Sequence, residues 1–287
     1  MTARAVARRA SGLLSVQETS DRAMLRAFLE SDRLLAAYAL CDLDDREFPR
    51  TRWGVATVAG RPTAVVLQYA GYAPQPIFVM GDNDGIAAIL ASIIKPRSAY
   101  LAALRDNLPA VEACYRVDPG PEMVRMWVDR ARFRPCRGPV QRLLPTDVGE
   151  LNRLYQLGFA SWLPAGAIAD GLYYGIRAGG QLVAAAGTHV ISPSARLAVV
   201  GNVMTHADHR NRGYATAATG AVTEELLRFC DQVVLNVRAD NAPALAAYRR
   251  LGYEPHVLFE ERLIHRSTSI LSEWAGAVRR MFGRKES

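Results

Sequence analysis

Between Ser194 and Ala218 the chain reads SARLAVVGNVMTHADHRNRGYATAA, and this stretch limits the possible folds more than any other. The run from Leu197 to Thr205 predicts a strand, a short polar loop follows, and Arg210-Asn211-Arg212-Gly213-Tyr214-Ala215 opens a helix. A strand that feeds a small-residue turn at a helix start gathers unpaired amides at one spot, and the helix dipole adds positive character there. Gly213 and Ala215 leave room for an anion to approach the backbone. The turn reads as a pyrophosphate cradle.

A short pattern of this kind is common, so its context has to decide. After an apolar strand from Val233 to Val237 the chain runs Asn241-x-x-Ala244-x-x-Ala247-Tyr248-x-x-x-Gly252-Tyr253, a helix with an Asn cap and a Gly stop. With both segments in this order and spacing, the sequence resembles the GCN5-related N-acetyltransferases (GNAT superfamily). The wording GTHVIS followed by GNVMTHADHRNRGYAT is most similar to their FR47-like branch, which includes relatives of glycine N-acyltransferase. Ala207 stands where the family often has Pro, which loosens the loop without removing an amide.

The 287 residues, 50% hydrophobic and 22% charged, can bury one large core or two modest ones, and two are expected. The order of predicted elements supports two. The first half gives helices within Ser15 to Leu40, a hairpin of Trp53 to Ala59 and Thr63 to Tyr69, a strand Ile77 to Met80, a helix Asp84 to Ile94 and a strand Tyr100 to Leu104. A helix Leu108 to Tyr115 and a strand Met123 to Val128 close it. The second half repeats that order: helix Pro145 to Leu157, hairpin Leu172 to Arg177 and Gln181 to Val190, then strand, cradle, helix, strand, the Asn241 helix and a strand Val257 to Ile264.

The fold class expected is therefore α/β in the mixed α+β sense, as tandem GNAT-like folds. Each would be a mixed, mostly antiparallel sheet flanked by helices, with splayed central parallel strands in the C-terminal unit. The expected boundaries are a flexible tail 1–14, a degenerate GNAT-like unit 15–138, a catalytic unit 139–266, and a C-terminal amphipathic helix and tail 267–287. Where the second half has its cradle, the first has Met80-Gly81-Asp82-Asn83-Asp84-Gly85, whose acidic residues would repel a pyrophosphate. The first unit then lines the acceptor pocket or buttresses the second.

A formal charge of +7 suits a phosphate-bearing partner. The basic residues are dispersed except for Arg130, Arg132, Arg134 and Arg137, with Phe133 alone among them, so coenzyme A is expected rather than nucleic acid. Cys41, Cys114, Cys136 and Cys230 form no CxxC and no pairing with His, which argues against a disulfide framework or structural zinc and fits the cytoplasm. No metal is expected; His206-x-Asp208-His209 lies on the loop the coenzyme would occupy. The Arg-rich start has no apolar region behind it and the apolar runs are broken short of a membrane span. Leu271, Trp274, Val278, Met281 and Phe282 form one face of the C-terminal helix; packing on its own domain or a second subunit, hence a homodimer, is expected over stable membrane association.

The resemblance implies acyl transfer from an acyl-CoA, acetyl-CoA or another short chain, to a primary amine of a small molecule or amino acid by direct attack on the thioester. The alternatives are a peptide or protein N-acetyltransferase and a non-catalytic acyl-CoA-binding sensor. It implies that Arg210, Asn211, Arg212, Gly213, Tyr214, Ala215 and Thr216 hold the pyrophosphate and that Val203, Met204 and Thr205 pair with the pantetheine arm as an added strand. Asn241 caps its helix, contacts the coenzyme, or both. Gly201 reads either as a bulge that parts two strands or as close packing against a helix. Tyr248 falls where the family places a phenol near the sulfur, either a general acid or a core residue. Many relatives carry a Glu on the central strand as the base; here Val199-Val200-Gly201-Asn202 offers none, leaving His189, His206, or Asn202 through a water.

Overall fold

A computed structural model of the chain describes residues 13–156 and 163–267. The C-terminal amphipathic helix expected from the sequence lies outside them. In chain order the elements are β1 (Leu14–Glu18), α1 (Arg22–Leu29), α2 (Ala37–Cys41), β2 (Thr51–Val58), β3 (Arg61–Tyr69), β4 (Gln75–Gly81), α3 (Asn83–Ser92), β5 (Ser98–Ala103), α4 (Leu108–Glu112) and β6 (Tyr115–Val117). Next come β7 (Glu122–Asp129), β8 (Gln141–Arg142), α5 (Val148–Tyr155), α6 (Ala165–Asp170), β9 (Tyr173–Ala178), β10 (Gln181–Ser192), β11 (Leu197–Thr205), α7 (Tyr214–Leu226), β12 (Gln232–Arg238), α8 (Ala242–Arg250) and β13 (Glu254–Arg266). The described residues gather into two compact units, one of 13–20, 52–120 and 262–267, the other of 21–51, 121–156 and 163–261.

In the first unit the strands lie in the order β1-β2-β3-β4-β5. β4 and β5 are parallel, in register from Gln75↔Ala99 to Phe78↔Ala102, and α3 crosses between them. Ile86, Ile89 and Leu90 of α3 are buried with Val66, Ile77, Val79 and Leu101. Gly54 on β2 lets the helix come close, since a Cβ there would sit 2.3 Å from an Ile89 methyl. Two helices were expected within Ser15 to Leu40, but residues 14–18 form an edge strand against β2. Its side chains are mostly exposed, so no apolar period marks it; main-chain pairing and the Arg52–Glu18 ion pair hold it in place.

The second unit orders its strands β13-β7-β12-β11-β10-β9-β8, with β11 and β12 parallel and β7 antiparallel to both β12 and β13. One face carries α7 and α8, where Ala218, Val222, Leu226, Leu245 and Tyr248 bury Val200, Val233, Leu235 and Val237. Side chains alternate along a strand, so Val234 and Asn236 take the other face. On the side of α5 and α6, Leu151, Leu154, Tyr155 and Ile168 pack with Tyr173, Leu182 and Ala185. Leu25 and Leu29 of α1 are fully buried. Both units therefore carry a strand, helix and parallel strand in succession, the repeat read from the sequence. Their extents differ from 15–138 and 139–266: α1, α2 and β7 belong with the second unit by contact.

Candidate functional site

The site is built around the point where β11 and β12 part. Their ladder runs from Leu197↔Gln232 to Val200↔Leu235 and stops, while β11 continues to Thr205 and β12 to Arg238. On its other edge β11 stays paired with β10, but between Gly187↔Gly201 and Ala185↔Met204 two residues, Asn202 and Val203, oppose the single Ala186. This is a β-bulge, and Asn202 takes φ +53° to make it. Asn tolerates that left-handed conformation better than a β-branched residue such as the Val203 that follows it.

Gly201 has a different task from the bulge expected there. A Cβ at this position would stand 2.1 Å from His189 Nε2, so glycine makes room for an imidazole. The packing is against a side chain of the neighbouring strand, not against the helix expected. His189 itself occupies a second irregularity of β10, between Thr188↔Val200 and Val190↔Val199, where the extra residue turns its ring toward Gly201.

Two groups bond that ring, and two more hydroxyls hold the groups beside it. Tyr38 Oη of α2 lies 2.6 Å from His189 Nδ1, and Asn202 Oδ1 lies 3.3 Å from Nε2. Asn202 Nδ2 donates to Tyr173 Oη at 3.0 Å, Tyr173 Oη donates to Thr188 O at 3.0 Å, and Tyr155 Oη donates to Asn202 O at 2.6 Å. His189 keeps accessible surface, yet protein crowds it enough for desolvation to lower its pKa, with the Asn202 hydrogen bond opposing. Burial lifts the Tyr155 hydroxyl well above its ordinary value. Beyond Tyr38 the buried Arg125 guanidinium lies 5.6 Å from the Tyr38 ring and 4.8 Å from the Phe259 ring. It donates to Leu34 O, Leu35 O and Asn236 Oδ1, and Asn236 Nδ2 donates to Glu261.

At the far end of β11 the chain makes a tight turn over Ala207–His209, capped by His206, whose Nδ1 accepts from Asp208 N at 3.3 Å. His206 is thus placed as a cap. The helix expected to open at Arg210 begins at Tyr214; Arg210 to Gly213 form the turn, with Asn211 at φ +62° and Gly213 at φ +74°. Gly213 is the N-cap and has no side chain to offer, and a Cβ there would meet nothing within 4 Å. The turn's main-chain bonds end with Arg210 N donating to Ala207 O and resume with Ala217 N donating to Gly213 O. The amides from Asn211 to Thr216 lie between, where a helix start leaves donors unfilled. Arg210 and Arg212 bond Thr205 O and Asp208 O at 3.4 and 3.3 Å beside it.

The corresponding turn of the first unit is filled by the chain itself. Asp82 caps α3, its carboxylate accepting from Gly85 N at 2.7 Å, so a negative charge already occupies the helix start.

Tyr248 sits on the opposite face of the sheet from His189, buried in the cluster that holds Val200 and Leu235 and against which Val203 packs. Desolvation pushes its hydroxyl up to about 12. Asn241 caps α8, accepting from Ala244 N at 3.2 Å. Gly252 takes φ +90° where a Cβ would strike Arg132 O at 2.0 Å, so the glycine stop is required by packing as well as by conformation. The structure therefore gathers Asn202, Val203, Met204 and Thr205 along the diverging strand, His189 beside it on β10, and 210–216 at its end, with Tyr248 behind. Tyr38, Tyr155 and Tyr173 were not singled out from the sequence; Tyr38 read only as one apolar position of a helix, and nothing local marks its meeting with a residue 151 positions away. Among the described residues no group of three or more His, Cys, Asp or Glu could hold a metal ion, and no helix is long and apolar enough to cross a membrane.

Residues 144–253 match the model of the Acetyltransferase (GNAT) family. Among solved structures, a GCN5-related N-acetyltransferase from Sphaerobacter thermophilus is similar with TM-score 0.60 and 14% identity, over 88% of this chain and 95% of that one. A GCN5-related N-acetyltransferase from Kribbella flavida gives 0.53 and 20%, over 74% and 89%. A tandem GNAT protein from the clavulanic acid biosynthesis pathway gives 0.53 and 15%, over 90% and 100%. Curated proteins yield no match. At these identities the structures speak for the fold alone, a mixed α/β fold like that of these GNAT proteins, and the family match is confined to residues 144–253. Acetyl-CoA is the general co-substrate of that family.

Proposed function

We propose that the chain is an acyl-CoA-dependent N-acyltransferase, with acetyl-CoA as donor and a primary amine of a small molecule or amino acid as acceptor. One observation carries the reading: β11 parts from β12 beside a bulge and leads straight to a helix start whose amides have neither a side-chain cap nor an acidic neighbour in the first turn. A diphosphate needs such donors, and the contrast with Asp82 in the first unit marks which of the two turns fits one.

In this reading the amides of residues 211–216, flanked by Arg210 and Arg212, hold the diphosphate, and the freed edge at Val203, Met204 and Thr205 bonds the amides of the pantetheine arm. The bound thioester supplies an activated acyl carbon. The protein's task is to keep the acceptor amine unprotonated, to exclude water and to provide a proton for the sulfur. His189, neutral at pH 7 because desolvation lowers its pKa, takes the proton from the amine side. Asn202 orients the ring through Oδ1. Tyr248 stays protonated across the working range because burial raises it to about 12, and it donates on the opposite side of the sheet opening. Asn241 fixes the helix that carries it.

The experiment is thiol release from acetyl-CoA with a panel of primary amines, small-molecule and amino-acid, beside a set of peptide N-termini. Release with the former supports the reading. Tight acetyl-CoA binding with no release from any acceptor would overturn it in favour of a sensor.

A further inference from the structure

The hydrogen bonds around His189 settle which of its nitrogens carries the proton, because one end of the chain is a group that can only accept. Thr188 O is a main-chain carbonyl, so Tyr173 spends its single hydroxyl proton on it at 3.0 Å. Tyr173 Oη must then accept from Asn202, 3.0 Å away, which turns the Asn202 amide nitrogen to Tyr173 and its oxygen to His189. An oxygen 3.3 Å from Nε2 requires a proton on Nε2. In the neutral ring Nδ1 is therefore the lone pair, and Tyr38 Oη, 2.6 Å from it, donates.

We propose that Tyr38 is a proton-relay residue: the one basic nitrogen of His189 is reached through the Tyr38 hydroxyl. This rests on the reading of His189 as the base and extends it to a residue contributed by α2. As the amine nitrogen forms its bond to the acyl carbon, its N–H bond breaks and the proton passes to Tyr38 Oη, while the original Tyr38 proton moves to Nδ1. The phenol ends as it began, and the imidazolium, still bonded through Nε2–H to Asn202, carries the positive charge.

The surroundings fit a relay. The titratable and charged groups facing the pair are Tyr173 from β9, Tyr155 from α5 through Asn202, and Arg125 from β7, with Glu261 of β13 and Asp32 acting on Arg125 from further off. Arg125 is fixed by the carbonyls of Leu34 and Leu35, a few residues before Tyr38, so the cation and the phenol are placed by the same segment. A buried cation beside the ring favours polarisation of the hydroxyl toward its oxygen.

The test is imidazole nitrogen NMR on the full-length protein, with His189 among five histidines assigned by loss of its signals in His189→Gln. The expected result is the Nε2–H tautomer. The hydroxyl donates to Nδ1 of the neutral ring and accepts from Nδ1–H of the imidazolium, and the charge-assisted bond is the stronger, so Tyr38→Phe is expected to lower the titration midpoint by about half a pH unit or more. In turnover, Tyr38→Phe is expected to lower kcat about 10- to 100-fold with KM for acetyl-CoA unchanged, and to move the acid limb of kcat/KM downward with the NMR midpoint. The double variant should be no slower than His189→Gln alone. An Nδ1–H tautomer in the unaltered protein, an unmoved midpoint and acid limb in Tyr38→Phe, or additive losses in the double variant would overturn the relay. The tautomer needs no variant to fold, and it is read without turnover, so failure of every amine to release thiol strikes the N-acyltransferase reading separately.

Discussion

At the scale of single residues, the site depends on space as much as on reactive groups. Gly201→Ala would drive a methyl into the His189 ring, 2.1 Å from Nε2 in the present arrangement. The expected cost is about 1–3 kcal/mol in thermal unfolding, the range for overpacking, with a larger loss in kcat than in acetyl-CoA affinity. Tyr248→Phe keeps the volume and removes the proton, so kcat is expected to fall about 10- to 100-fold with the dissociation constant of acetyl-CoA unchanged by calorimetry. Activity should also report His189 through pH. Its pKa is depressed in the folded chain, so the neutral form, the one the proposed role as base requires, persists below the ordinary imidazole value of about 6.5 and is lost only as pH falls further. The same depression makes the folded state bind fewer protons than the unfolded one on that acid side, so stability declines along with rate as pH drops. His189, Asn202 and Tyr248 could be singled out as candidates because they sit in or beside segments whose pattern is local. Tyr38, Tyr155 and Tyr173 were not, since an aromatic residue at helical or strand spacing reads as core whether or not its hydroxyl reaches a bulge on another strand.

At the scale of elements, α3 and α7 make a natural experiment within one chain. Each follows one strand of a parallel pair and precedes the other, yet one begins with a carboxylate on its amides and the other with a bare glycine at φ +74°. Gly213→Val forces a β-branched residue into that conformation, costing about 1–3 kcal/mol, and is expected to weaken acetyl-CoA binding. Asp82→Ala removes a cap, costing about 0.5–2 kcal/mol in a melting experiment, and is expected to leave acetyl-CoA binding untouched. Equal effects of the two on binding would mean that the wrong helix start had been chosen. The alternation of strand, turn and helix was readable because burial gives each its own period. β1 escaped because an edge strand with exposed side chains has no such period, and α7 began later than expected because Arg210 to Gly213 are held by the turn.

At the scale of the whole molecule, sequence order and spatial order diverge. β7 lies between β12 and β13, pairing with both along most of its length, although it precedes them by about a hundred residues. A fragment of 139–266 would lose that strand and leave two long edges open. It is expected to show no cooperative melting transition and to aggregate, whereas the full chain melts with a midpoint raised by acetyl-CoA according to mass action. The element order alone pointed to a joint near Arg132 to Pro145, because a repeat of elements says nothing of which sheet a given strand completes. That information sits in long-range pairings such as Asn236↔Arg125, to which local patterning is blind.

The placement of Tyr38 has a consequence for how chains of this kind diversify. The turn proposed to hold the diphosphate lies within 144–253, while the phenol bonded to His189 and the guanidinium behind it come from positions 38 and 125, upstream of that segment. Selection could therefore retune proton handling through the early part of the gene while the segment by which relatives are recognised stays still, and two chains with matching signatures could differ in the basicity of amine they accept.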